Sequence, residues 1–253
     1  MQYLDYKTNA RWQALELTKY LLLVAGCLVI WFMPITHNFC MWLDQKTFTI
    51  LNFSLLYSHN WQLFWGYLVH PNESWLNVFL MIGINILGIF SLPSFKRPKA
   101  MAGVVYFWIF FQVVLVFTHK IFSTWMSVQR ASPSLTMTPW VILSESLNLD
   151  GLKVSSTNCF PSGHVLVLIF WLQFTMLYSK AWIHKIAIAT VILLTLPRLF
   201  SGAHWLSDVI FTMCYSLLCF RIAIGTPLFT LATSYIEKMI ISIIPRKKFI
   251  GDI

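Results

Sequence analysis

Six stretches of this chain stay apolar for close to the length a helix needs to cross a bilayer, about 20 residues: 17–35, 75–92, 101–117, 162–178, 182–200 and 203–222. With 58% of its 253 residues hydrophobic and 11% charged, the chain lies far outside the composition of a soluble domain. The expected fold is an all-α integral membrane protein of six transmembrane helices in one domain, 1–253. Trp31, Trp75, Trp182 and Trp205 stand at the ends of these stretches, where aromatic side chains anchor spans at the interface. The first run closes on Trp31-Phe32-Met33-Pro34 without a small-residue cleavage pattern, so it reads as a retained span.

The net charge of +9 follows membrane topology and does not point to nucleic acid. With both termini cytoplasmic, the inside segments hold most of the 18 Lys and Arg and leave Lys46, Lys120, Arg130, Lys153 and Arg198 outside, as the positive-inside rule requires. Segment 36–74 then reads as one or two outward helices lying in the interface, with scattered surface histidines at His37, His59 and His70. Segment 118–161 is an outward loop too long to be a plain connection, with a short helix expected at 139–147. Segment 226–253 reads as an amphipathic helix on the inner surface, its tail Pro245-Arg246-Lys247-Lys248 on anionic lipid. Five cysteines without Cys/His ligand spacing argue against a zinc site. Cys40 and Cys159 fall in outward segments, which leaves a disulfide open in an oxidising compartment.

Ionisable residues at membrane depth are costly and mark functional sites, and they cluster here at Arg198, His204 and Asp208. His204 and Asp208 are four apart, so on a helix they share a face and Asp208 can fix the imidazole tautomer. Arg198 belongs on the last turn of the preceding span, with Ser201-Gly202 turning the chain. Upstream, Pro161-Ser162-Gly163-His164 opens the fourth span; a capped helix start unobstructed at Gly163 is an anion site. Arg130-Ala131-Ser132-Pro133 is a compact turn in the long loop. Together these elements make a phosphate pocket at the outward helix ends, beside a nucleophile. Lys153 reads as an exposed loop cation.

Arg130-Ala131-Ser132-Pro133, Pro161-Ser162-Gly163-His164 and Arg198-x5-His204-x3-Asp208 resemble the three-part signature of the type 2 phosphatidic-acid phosphatase superfamily. The resemblance implies phosphoryl transfer through a phosphohistidine, with no metal and no cofactor. His204 would be the nucleophile, Asp208 its orienting partner and His164 the acid for the leaving oxygen. Arg130, Arg198, Ser162 and the Gly163 backbone would hold the phosphoryl oxygens. Position 123 is Ser where the superfamily usually carries Lys, and Lys120 is the candidate stand-in. Arg130-Ala131-Ser132-Pro133, the third motif with Pro197 before its arginine, and Trp31-x-x-Pro34-x-x-His37 are similar to the bacterial lipid A 1-diphosphate synthase branch. That branch moves the terminal phosphate of undecaprenyl diphosphate onto the 1-phosphate of lipid A at the periplasmic face of the inner membrane. The partners implied are therefore lipid substrates. A lipid phosphatase with water as acceptor stays open as an alternative, as does a transporter or pseudo-enzyme using His204 and Asp208 as a proton relay.

Overall fold

The computed structural model describes residues 10–70 and 73–243, and among these every regular element is helical. The helices are α1 (Ala10–Phe32), α2 (Pro34–Ser54), α3 (His59–Val69), α4 (Glu73–Phe90), α5 (Arg97–His119), α6 (Pro133–Thr136), α7 (Leu143–Ser146), α8 (Gly163–Tyr178), α9 (Ala181–Phe200), α10 (Leu206–Gly225) and α11 (Pro227–Ile243). Four of the six expected spans are long and apolar enough to cross a membrane, lying in α1, α5, α9 and α10. The other two are shorter apolar helices, Trp75–Phe90 and Gly163–Tyr178.

Helix α8 is the centre of the bundle and packs against α5, α9 and α10. Val165, Leu166, Phe170 and Trp171 are fully buried there. A helix hydrophobic all round belongs inside, which its uniform sequence specifies. Trp171 Nε1 and Thr175 Oγ1 both donate to Asn85 Oδ1 at 3.2 Å, tying α8 to α4. Gly103 lets α5 approach closely, because a Cβ there would stand 2.3 Å from the Tyr178 ring.

In segment 36–74, expected as one or two interfacial helices, α2 and α3 dock on α9 and α2 buries Asp44, Phe48 and Asn52. Pro34 starts α2, and Ser58 caps α3 by accepting from Trp61 N at 3.1 Å. A second small core gathers Leu55, Trp65, Val69, Val141, Leu143 and Phe200, with the Trp65 and Phe200 rings stacked at 4.2 Å. Asn52 completes the joint. Its amide nitrogen donates to Val141 O and Phe200 O at 2.9 and 3.1 Å, and its oxygen accepts from Trp140 N and Val141 N at 2.7 and 3.0 Å. A buried amide satisfied on both sides fixes register as well as stability. The long loop is thus held against α2, α3 and the end of α9, and the short helix expected at 139–147 is α7, packed on α3.

Helix α11 packs along α5 with Thr233 buried, so the amphipathic stretch has a protein partner on one side. The basic tail at 245–248 lies outside the described residues. Cys40 and Cys159 are both free thiols, and no disulfide joins them, because the Cys159 side chain is turned inward to a carboxylate described below.

Candidate active site

The turn between α9 and α10 is built around one carbonyl. Ala203 N and His204 N both donate to Arg198 O, at 3.0 and 3.2 Å, so the two motif residues are fixed to each other by backbone. Gly202 makes the turn with φ +76°, a region open to glycine. A Cβ on Gly202 would also lie 2.6 Å from the Phe48 ring and 3.1 Å from Ser134 N. Ser134 N donates to Gly202 O at 3.1 Å, which docks the first-motif loop on this turn. Arg198 is 4% exposed.

His204 Nδ1 lies 2.8 Å from Cys159 O. A carbonyl only accepts, so Nδ1 carries the proton and Nε2 keeps its lone pair. The expected hydrogen bond to Asp208 is not formed; Nδ1 is 4.0 Å from Asp208 Oδ2. The reason is that Asp208 is fully buried and its oxygens are already occupied. Oδ2 accepts from Trp205 N at 3.0 Å and from Cys159 Sγ at 3.1 Å, and Oδ1 accepts from Arg130. Asp208 is therefore linked to His204 indirectly, through Cys159 and the start of α10. Burial, then the Arg198 cation, push the His204 pKa down to about 3, against the pull of the Cys159 carbonyl, and His164 adds to the lowering. The ring is neutral at physiological pH, and both Arg198 and His164 are within electrostatic reach of it.

Arg130 is held on every side. Its guanidinium bonds Asp208 Oδ1, Ser207 Oγ at 2.8 Å and Asp44 Oδ2 at 2.6 Å. It lies between the Trp31 and Trp205 rings, at 4.3 and 5.0 Å from their centroids. Asp44, 1% exposed, also accepts from Ser207 N at 2.8 Å and Ser207 Oγ at 2.5 Å. Trp205 Nε1 donates to Ala131 O at 2.9 Å, closing the first motif onto α10. His37, on the same corner of α1 and α2, is 3.0 Å from Trp31 O through Nδ1 and packs edge-on to the Trp31 ring.

At the start of α8, Ser162 is buried and its Oγ accepts from Val165 N at 3.4 Å, while Ser162 N donates to Thr212 Oγ1 at 3.0 Å. The Ser162 hydroxyl thus caps the helix. Gly163 is exposed, and a Cβ there would meet nothing within 4 Å, so the first N–H groups of α8 border open space. His164 Nε2 lies 3.4 Å from Asn77 Nδ2 on α4. Lys120 is exposed at the head of a π-helical turn; its backbone N–H bonds Phe117 O and Val116 O, and among the described residues its side chain has no hydrogen bond or ion pair.

Cys159 Sγ, a His204 ring nitrogen and an Asp208 oxygen lie within 4.8 Å of one another, a donor set of the kind that takes metals. The surroundings oppose it. Arg130 neutralises Asp208, and burial and the adjacent carboxylate push the Cys159 thiol pKa up, away from the thiolate a metal needs. Sequence reasoning missed Asp44, Asn77, Ser207 and the Cys159 carbonyl. The only sequence signal for Asp44 is that it is the one carboxylate in α2, next to Gln45 and Lys46.

Residues 104–230 match the PAP2 superfamily, whose members are phosphatases and phosphotransferases. The chain is 25% identical over 182 residues to the lipid A 1-diphosphate synthase of Escherichia coli (strain K12), covering 71% of this chain and 74% of that protein. No solved structure matches the chain. The matched region takes in the turn that carries Arg130, the start of α8 and the α9–α10 turn, and the chain belongs to the PAP2 superfamily.

Proposed function

We propose that the protein transfers the terminal phosphate of undecaprenyl diphosphate to the 1-phosphate of lipid A. The observation that carries this reading is a neutral His204, its Nδ1 proton held by the Cys159 carbonyl, with Arg198 and His164 acting on the same ring. His204 Nε2 attacks the terminal phosphorus, and the bond from that phosphorus to the bridging oxygen breaks. His164 gives its proton to that oxygen as undecaprenyl phosphate leaves. A phosphate oxygen of lipid A then attacks the phosphohistidine, and the P–N bond breaks. Arg198 and the open N–H groups at Gly163 neutralise the phosphoryl oxygens, the larger part of the task in phosphoryl transfer. Arg130 serves as a positioning residue, since its guanidinium is taken up by Asp44, Ser207 and Asp208.

In this reading the chain crosses a bacterial inner membrane six times, both short helices included, with cytoplasmic termini and a periplasmic site. Helix α8 has 16 residues, about 24 Å of rise, against a hydrocarbon core of about 30 Å. Its N-terminus therefore lies below one interface, where head-group phosphates reach it while the tails stay in lipid. The limited exposure of the His204 side chain, 14%, favours a lipid acceptor over bulk water. The test is to supply purified protein, with a chelator, undecaprenyl diphosphate labelled on its terminal phosphate, with and without lipid A. Label on lipid A with little free phosphate is the expected result. Equal free phosphate in both tubes would make the protein a phosphatase.

A further inference from the structure

The end of the bundle away from His204 holds a cavity of about 750 Å³. It lies where the turn from α4 to α5 meets the turn from α8 to α9. Three basic residues line it, Arg97, Lys180 and His184, and no carboxylate does. Arg97 is set in place by donating to Leu92 O at 3.1 Å and Phe90 O at 3.3 Å, with its guanidinium over the Phe90 ring at 5.4 Å. His184 Nε2 donates to Ser179 O at 3.0 Å, which aims the other ring nitrogen away from that turn. Lys180 is the N-cap of α9 and offers no side-chain acceptor, so the first N–H groups of a 20-residue helix lack a side-chain cap at the cavity edge. Ile183 N and His184 N donate to Lys180 O at 3.0 and 3.3 Å, which leaves the N–H groups of Ala181 and Trp182 and the helix dipole to favour an anion there.

The walls say which anion. Phe90 and Met176 are 65% and 44% exposed, so the cavity opens past apolar side chains, and its volume is several times what a bare phosphate occupies. Basic pockets between spans with such walls suit anionic lipid head groups. A second polar feature lies beside it. A crevice of about 10 Å³ shares Tyr178 and Ser179 with the cavity and is also lined by Asn85. Asn85 is 7% exposed and, among the described residues, its Nδ2 has no hydrogen-bond partner, an orphan donor that costs free energy until a ligand oxygen or water meets it. We propose that this cavity binds the phosphate of an anionic lipid head group, with Arg97, Lys180 and the open end of α9 on the phosphate and the acyl chains running past Phe90 and Met176.

The experiment measures lipid retention by native mass spectrometry, and thermal stability, on the full chain in detergent. The probes are phosphatidylglycerol, phosphatidylcholine, inorganic phosphate and glycerol 3-phosphate. Phosphatidylglycerol is expected to be retained and to raise the melting temperature, and the other three are not. Lys180→Glu, at an exposed position, should cut retention at least about tenfold, as expected when a cation facing anionic lipid is reversed. Its phosphoryl-transfer rate should stay at the wild-type level, so failure of the lipid site and failure of the His204 chemistry are read separately. Arg97→Gln should lose the lipid as well, with its melting temperature without lipid reporting the cost of freeing the turn. Equal retention of the two lipids would overturn the proposal, as would an equal loss in Lys238→Glu on α11. Stabilisation by inorganic phosphate or glycerol 3-phosphate as large as by phosphatidylglycerol would assign the cavity to a soluble phosphate and overturn the lipid source.

Discussion

The two ends of the bundle treat their arginines in opposite ways. At the His204 end, Arg130 is closed in by Asp44, Asp208, Ser207 and two indole rings. At the far end, Arg97 rests on two carbonyls and a phenyl ring beside a cavity without a carboxylate. A charge removed from water needs a counter-charge. Where the chain supplies it, the arginine becomes scaffold. Where it does not, the half-buried guanidinium of Arg97 stays open to water or to an anionic ligand. A motif arginine is therefore not automatically a substrate contact, because its partners decide.

The largest effect expected follows from this division. His204→Ala should abolish the phosphoenzyme and lower turnover by about 10³-fold or more, as loss of a covalent nucleophile does. Full activity in that variant would end the mechanism. The pH dependence sharpens the test. In the unfolded chain a histidine titrates near 6.5, whereas the folded His204 stays neutral down to about 3. Phosphoenzyme trapped in alkaline detergent should therefore not decline between pH 7 and pH 5 through protonation of His204. The same difference means the unfolded state binds the extra proton, so stability rises as pH climbs from about 3 to about 6.5 and this contribution is level above that. His204→Ala should remove that slope from the pH dependence of denaturant unfolding.

Next in size is the neutralising cage. Asp44→Asn leaves Arg130 with one carboxylate and Ser207 with a weaker acceptor, and breaking a buried pair of this kind costs about 3 kcal/mol. The turnover number should fall more than KM rises, because the residue acts through Asp208 and the α10 start and does not touch substrate. A double-mutant cycle with Arg130→Gln measures the coupling directly. Additive losses would mean that Arg130 and Asp44 work separately, and Arg130 would then return to the phosphate pocket.

How much of this could be read from the sequence depends on how far apart the partners lie. Arg198, His204 and the Ser162-Gly163-His164 helix start are local patterns, each fixed by its own turn, and their neighbourhood was legible. Four of the six apolar runs became helices long enough to span. The other two came out shorter: α8 begins only at Gly163, after the Ser162 cap, and the apolar stretch of α4 ends at Phe90. Asp44 was not legible, because Ser207 lies 163 positions further along and Arg130 lies 86; no local spacing announces such a pair. The i, i+4 rule put His204 and Asp208 on one face, but it could not foresee that a carbonyl 45 positions upstream would take the Nδ1 proton. Segment 36–74 read as interfacial because its apolar runs are broken at Ser58-His59-Asn60; what it could not announce is that Asn52 and Phe48, inside the first run, meet the long loop and Gly202.

The smallest expected effect concerns Lys120, a motif cation that joins neither pattern. It is exposed and, among the described residues, its side chain is without an ion pair or hydrogen bond, unlike Arg130 in its cage and unlike Arg97 beside its cavity. Substitutions at such positions usually change stability by less than about 0.5 kcal/mol. Lys120→Ala should therefore leave the melting temperature unchanged and the transfer rate within about twofold of wild type, since an exposed cation contributes little through solvent. A tenfold fall in rate with unchanged stability would show instead that substrate draws the π-helical turn of Lys120–Trp125 over the phosphate. Lys120 would then supply the contact that Arg130, held by Asp44 and Asp208, does not.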